Sequence, residues 1–194
     1  VQNGRAAFVD TGTSHSVPLL LAALDQSGLA VGDVDYVFVT HVHLDRAGGA
    51  GHLMAACPNA TAVLHPRGAP HMADPAKLEA GSRAVYGDAL FEKLYGDIRP
   101  IPETRIREVA DDEILEWAGR PLRFIHTEGH ARHHYCIVDE ASRGVFTGDS
   151  FGLSYRELDT PAGHFLFPTT TPVHFDPEAA HAAVDRILSF EPDW

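Results

Sequence analysis

The chain has 194 residues, 44% hydrophobic and 22% charged, with a formal net charge of −12; the length suits one domain and the balance is that of an ordinary globular protein. The acidic balance argues against nucleic acid or an anionic membrane surface as partner. No apolar run approaches the roughly 18 residues of a membrane helix, and no basic-then-apolar start resembles a signal peptide.

Taken in chain order, VQNGRAAFVD reads like the middle of a hairpin, with a turn at Asn3-Gly4 and a short strand over Ala6–Val9. Ser16-Val17-Pro18 opens a helix through about Leu29. VDYVFVT, Val34–Thr40, is β-branched and aromatic, as a buried strand should be. A short helix over Gly51–Ala56 and a strand over Thr61–Leu64 follow. Arg67 to Tyr95 is helical with breaks at Pro70, Pro75 and Gly87; the longer segment to Arg105 suits a lid, a dimer contact or core. Short strands are expected at Ile106–Val109, Glu113–Trp117 and Leu122–Ile125, and Tyr135–Val138 with Gly144–Phe146 forms a hairpin. Asp149–Val173 is irregular, and Asp176-Pro177 caps a final helix over about Glu178–Phe190. RILSFEPDW stops where another strand could begin, so the expectation is a single domain over 1–194 that is a fragment at both ends. Strands and helices mix, which gives an α/β or α+β class with helices packed on sheet. Two cysteines, Cys57 and Cys136, make no disulfide framework and point to a reducing, cytoplasmic compartment.

The stretch THVHLDRAGGAGH runs directly out of the strand at Val34–Thr40. Read as an extended continuation, it points His41, His43 and Asp45 one way, while Val42 and Leu44 anchor in the core. Gly48-Gly49 then lets the backbone turn beside the site. A second cluster, HTEGHARHH, spans His126 to His134 and also follows a strand. A third, VFTGDS, places Asp149 after the strand at Val145–Phe146. Three strands that each end in His or Asp beside glycine can bring their ligands to one edge of a sandwich. Imidazoles and carboxylates together suit zinc, iron or manganese.

In that order the motifs resemble the metallo-β-lactamase superfamily: HxHxDH after a strand, a later GH, then TGD, across nearly the whole chain. The glyoxalase II-like and lactonase-like branches are nearer than true β-lactamases, which often use cysteine where Asp149 stands. The resemblance implies an αββα sandwich of two mixed sheets flanked by helices, with metals at one edge. It assigns His41, His43 and His130 to a first metal, Asp45 to a second, and Asp149 to a bridge. It implies attack of an activated water on an ester, thioester, lactone or lactam carbonyl, with Asp45 orienting the water or relaying its proton. Asp10, in VDTG, matches the family's strand-end aspartate. His126, His133 and His134 flank the ligand loop and are candidates for orienting a ligand, and Tyr155 for touching substrate.

Two departures stand out. The sixth position of the first motif, a second-metal histidine in the family, is Arg46. Guanidinium cannot ligate a metal; it can pair with a carboxylate such as Asp45. The family's last histidine follows the final helix, and this sequence ends at Trp194 before it; His174 precedes that helix and is a weak substitute. The expectation is one firmly bound zinc, with iron or manganese as alternatives, and a second site that is weak or empty. A small-molecule substrate follows, with a homodimer as one option for assembly. The alternative readings are an iron-dependent persulfide dioxygenase and a non-catalytic metal-binding relative.

Overall fold

The computed structural model describes residues 1–171 and 173–194. The elements in order are β1 (Ala6–Val9), α1 (Val17–Gln26), β2 (Val34–Phe38), α2 (Leu44–Ala47), α3 (Ala50–Ala56), β3 (Thr61–Leu64), α4 (Ala69–Ala73), α5 (Ala76–Tyr86), α6 (Asp88–Tyr95) and β4 (Ile106–Glu108). Then follow β5 (Ile114–Trp117), β6 (Arg120–His126), β7 (Tyr135–Asp139), β8 (Gly144–Phe146), β9 (Leu153–Ser154), β10 (Leu166–Phe167) and α7 (Pro177–Leu188).

The class is α/β, but each main sheet is of one kind where mixed sheets were expected. β1-β2-β3-β4 pair parallel throughout, and β5-β6-β7-β8 pair antiparallel throughout. Connection length explains the split. Each parallel step is crossed by helix, as parallel pairing requires, whereas β5 to β8 are joined by connections of at most eight residues, too short for a crossover. β9 and β10 form a separate two-stranded ribbon inside the stretch expected to be irregular.

The alternation of side chains along the strands sets the layers. In β2 and β3, Val37, Ala62 and Leu64 face the core built with α1, α3 and α4, while Phe38 and Val63 face the second sheet. In β6 and β7, Leu122, Phe124, Tyr135 and Ile137 complete that inter-sheet core, and Ile125, Cys136 and Val138 turn outward to meet Ile187 of α7. The result is helix, sheet, sheet, helix. Cys57 and Cys136 are buried and unpaired. At α7 the Asp176 carboxylate accepts from the amides of Glu178 and Ala179, each at 3.1 Å, with Pro177 in the first turn. No described helix is long and apolar enough to cross a membrane.

The two sheets are tied together where β2 ends. The Tyr135 amide donates to Thr40 O at 2.9 Å, and the Tyr135 hydroxyl donates to Val63 O at 2.8 Å. This joint puts the start of β7 beside the loop after β2.

Candidate metal centre

Thr40–His43 is loop, and His43 caps α2 in an extended conformation (φ −66°, ψ 144°). The period-two reading therefore fails at Leu44. A helix turns about 100° per residue, so Asp45 leaves the row set by His41 and His43. Its side chain is 57% exposed and lies 3.9 Å from Arg46 Nε. Gly48 and Gly49 do not serve as a sharp turn either, since both have ordinary negative φ (−58° and −85°). They are there for close packing: a Cβ on Gly49 would meet Thr13 O at 2.7 Å.

What the fold does bring together is His41, His43 and His130. Each offers one ligand atom, and these atoms lie within 4.8 Å of one another. His130 comes from the loop between β6 and β7. Asp149, from the turn after β8, presents Oδ2 at 3.5 Å from His130 Nε2 and 3.9 Å from His41 Nε2.

Hydrogen bonds fix which ring nitrogens are bare. The Thr40 hydroxyl has one proton, and it goes to the Asp10 carboxylate at 2.9–3.0 Å. Thr40 Oγ1 can then only accept from His41 Nδ1, 3.1 Å away, so His41 Nε2 carries a lone pair. That buried Nε2 has no hydrogen-bond partner. His130 Nδ1 is 2.9 Å from Thr169 O, a carbonyl that can only accept, which leaves His130 Nε2 bare as well. His43 Nδ1 lies 2.9 Å from that nitrogen. Burial holds His41 and His43 below the ordinary imidazole range, in the neutral form a metal needs. An orphaned lone pair beside two facing nitrogens is the arrangement a cation completes, so the donor set fits the metal that the resemblance implies.

Arg46 keeps the expected ion pair with Asp45 only at 3.9 Å and makes its hydrogen bonds to Asp149. Its Nε and Nη2 reach Asp149 Oδ1 at 3.0 and 2.6 Å. One carboxylate oxygen is thus held by guanidinium while the other faces the imidazoles. The remaining candidates divide. His134 is fully buried, stacks on His41 at 4.8 Å, and accepts the Asp149 amide on Nε2 at 3.1 Å, so it positions that carboxylate. His133 Nδ1 accepts the Val42 amide at 3.3 Å and steadies the ligand loop. His126 is turned away; its Nε2 lies 3.0 Å from Val109 O and its ring packs on His65 at 4.1 Å. Tyr155 stacks on Phe167. His174 is exposed, with φ 65°, and is outside the histidine group. Gly148, of the TGD motif, needs its glycine: φ is 49°, and a Cβ would lie 2.6 Å from His134 Nε2 and 2.7 Å from Thr40 Oγ1.

Thr40 and Thr169 bond directly to the histidine cluster, and motif reading passed them over. Thr169 holds His130 through its carbonyl and donates its hydroxyl to Asp149 O. Thr40→Val, nearly isosteric but without the hydroxyl, is expected to weaken zinc binding about 10–100-fold by freeing the His41 tautomer. Competition against a chromophoric chelator measures this, and an unchanged affinity would mean that packing alone orients the ring. Asp10, left-handed at φ 58°, is the end of the relay; burial pushes its pKa up to about 6 from 3.8. A raised folded-state pKa means that the contribution is present below pH about 4 and lost as pH rises to about 6. Asp10 should therefore subtract from the stability of the metal-free protein as pH rises through that window, against the gain from the buried imidazoles of His41, His43, His133 and His134, whose folded-state values lie below the ordinary range. Asp10→Asn, which tolerates the left-handed backbone, should gain more stability between pH 4 and pH 7 than the parent. Urea midpoints of both proteins at pH 4 and pH 7 test it; equal changes would remove Asp10 as the cause.

A helix-flanked pair of sheets with three imidazoles gathered at strand ends defines an αββα protein with a candidate metal centre. The chain belongs to the metallo-beta-lactamase superfamily, whose family model matches residues 1–194. A metallo-beta-lactamase fold-containing protein of Sulfurisphaera tokodaii is 28% identical over 171 residues, covering 86% of this chain and 58% of the relative. The solved structure of an archaeal metallo-beta-lactamase superfamily protein from Sulfolobus tokodaii superposes with TM-score 0.77 at 26% identity, covering 98% of this chain and 68% of that one. An atrochrysone carboxyl ACP thioesterase of Aspergillus aculeatus is 26% identical over 117 residues, 60% of this chain and 27% of that protein. The chain thus spans less than two thirds of the length of these curated relatives.

Proposed function

We propose that this protein is a metal-dependent hydrolase acting on acyl thioesters. The observation that carries the reading is the convergence of His41, His43 and His130 with bare nitrogens fixed by Thr40 and the Thr169 carbonyl. Membership of the superfamily supports it, and a thioesterase-named relative favours thioester over the lactone, lactam and plain ester that the same chemistry allows. A divalent ion held there supplies Lewis acidity toward a water and a carbonyl.

The chain's own groups do the rest. His41 and His130 are held in one tautomer, so no proton must be displaced before the ligand nitrogens act. Asp149 Oδ2 adds negative charge beside them, while Arg46 neutralises Oδ1. A fixed guanidinium at that oxygen opposes a second cation, so we assign one firmly bound ion, zinc by donor set. Asp45, exposed in the first turn of α2 and felt electrostatically by His43, takes the role of moving the proton between site and solvent. The buried, reduced cysteines accord with a cytoplasmic compartment.

Thiol release from acyl thioesters, beside lactone and β-lactam panels, tests the reading on zinc-loaded protein. Turnover should vanish on chelation and return with zinc. Absence of turnover in all three panels with metal bound would overturn it. Iron retained through purification, with oxygen uptake, would replace it with the dioxygenase reading.

A further inference from the structure

Behind His130 and Asp149 a cavity of about 510 Å³ runs between the ribbon β9–β10 and α7. That volume is in the range of sites for small organic ligands. His130 and Asp149 form part of its wall, and Phe151, Leu166, Phe167, Phe175 and Val184 form much of the remainder. Phe151 and Leu166 are 47% and 71% exposed, an arrangement that leaves large apolar side chains in water at the wall of this cavity. No lysine or arginine lines the cavity among the described residues; Asp185 on α7 adds a carboxylate at its wall, and His181, on the same helix, an imidazole.

We infer that this cavity is the acyl subsite and that it selects an uncharged, medium-length apolar acyl chain. The inference rests on the thioesterase reading and adds the substrate class to it. The wall shared with His130 and Asp149 sets the carbonyl end at that edge of the cavity and the tail along α7. Each methylene entering such a surface favours binding by up to about fourfold. A tail ending in carboxylate would meet Asp185 with no lysine or arginine to pair it, so it is disfavoured by charge as well as by desolvation.

Two measurements on the zinc-loaded full chain test this. The first compares kcat/KM for acetyl, octanoyl and succinyl thioesters of one thiol; octanoyl should exceed both others by at least tenfold. The second needs no turnover: calorimetric titration with the S-octyl thioether of N-acetylcysteamine should give binding at least tenfold tighter than with the S-ethyl thioether. Val184→Trp, which fills the cavity, and Leu166→Asp, at an exposed position that folding tolerates, should each collapse the octyl preference. Thioester turnover with no chain-length preference, or octyl binding unaffected by both variants, would overturn the subsite. Octyl-selective binding without turnover would support the subsite and count against the thioesterase reading alone.

Discussion

His130→Ala is expected to reduce retained zinc from about one ion per chain to background and to lower thioester turnover by at least about 100-fold, the scale on which loss of a preorganised electrostatic element acts. His130 is 5% exposed and is the one histidine of the three that comes from the second sheet. Its removal leaves His41 and His43 alone and separates the metal from Asp149, whose Oδ2 sits 3.5 Å from His130 Nε2. The Thr169 carbonyl also loses its donor, which costs roughly 1–3 kcal/mol if no water replaces it. The readouts must therefore be separated. Elemental analysis reports the metal, circular dichroism the fold, and thiol release the chemistry. His126→Ala is the control, because that ring bonds Val109 O and not the cluster. Zinc retained near one per chain in His130→Ala would remove this residue from the ligand set.

Arg46→Met is expected to destabilise the metal-free protein by roughly 2–3 kcal/mol. That lies at or below the range for breaking a fully buried pair, because Arg46 is itself 31% exposed. The penalty is that of leaving Asp149, 8% exposed at its side chain, without the guanidinium on Oδ1. Saturating zinc should recover part of the loss, since a bound cation supplies the missing positive charge and binds only the folded state. The sign of this coupling is the diagnostic result. If the pair with Asp149 were incidental, the variant would unfold at the same urea concentration as the parent with and without zinc. Substituting Arg46 should also raise the metal count under zinc excess, because the fixed cation opposing a second ion is gone.

Much of the frame was legible from local pattern. β1, β3 and the β7–β8 hairpin have alternating or continuous apolar runs with turn residues at their ends, and they form where expected. The histidines of the first and second motifs were legible because strand ends converge at one edge of a layered α/β fold. The misreadings came where tertiary contact decides. Leu44–Ala47 is a single helical turn, too short for periodicity to declare, and it rotated Asp45 out of line. The partner of Arg46 lies 103 residues away, whereas the neighbouring carboxylate was the one that sequence proximity suggested. Thr40 and Thr169 act through one hydroxyl and one backbone carbonyl, groups with no motif of their own. Histidine count near a ligand loop was a poor guide: His134 positions Asp149, His133 holds the Val42 amide, and His126 does neither. The apolar cavity was hidden because its walls come from an irregular segment and from one face of α7.

The most direct test is an anomalous-difference map from crystals of the protein grown with zinc and collected at the zinc edge. One strong peak in contact with His41 Nε2, His43 Nδ1 and His130 Nε2, with Asp149 Oδ2 beside it and Arg46 still on Oδ1, is the expected result. No peak among the three rings, or two peaks of equal occupancy with Arg46 displaced from Asp149, would contradict the single-ion centre.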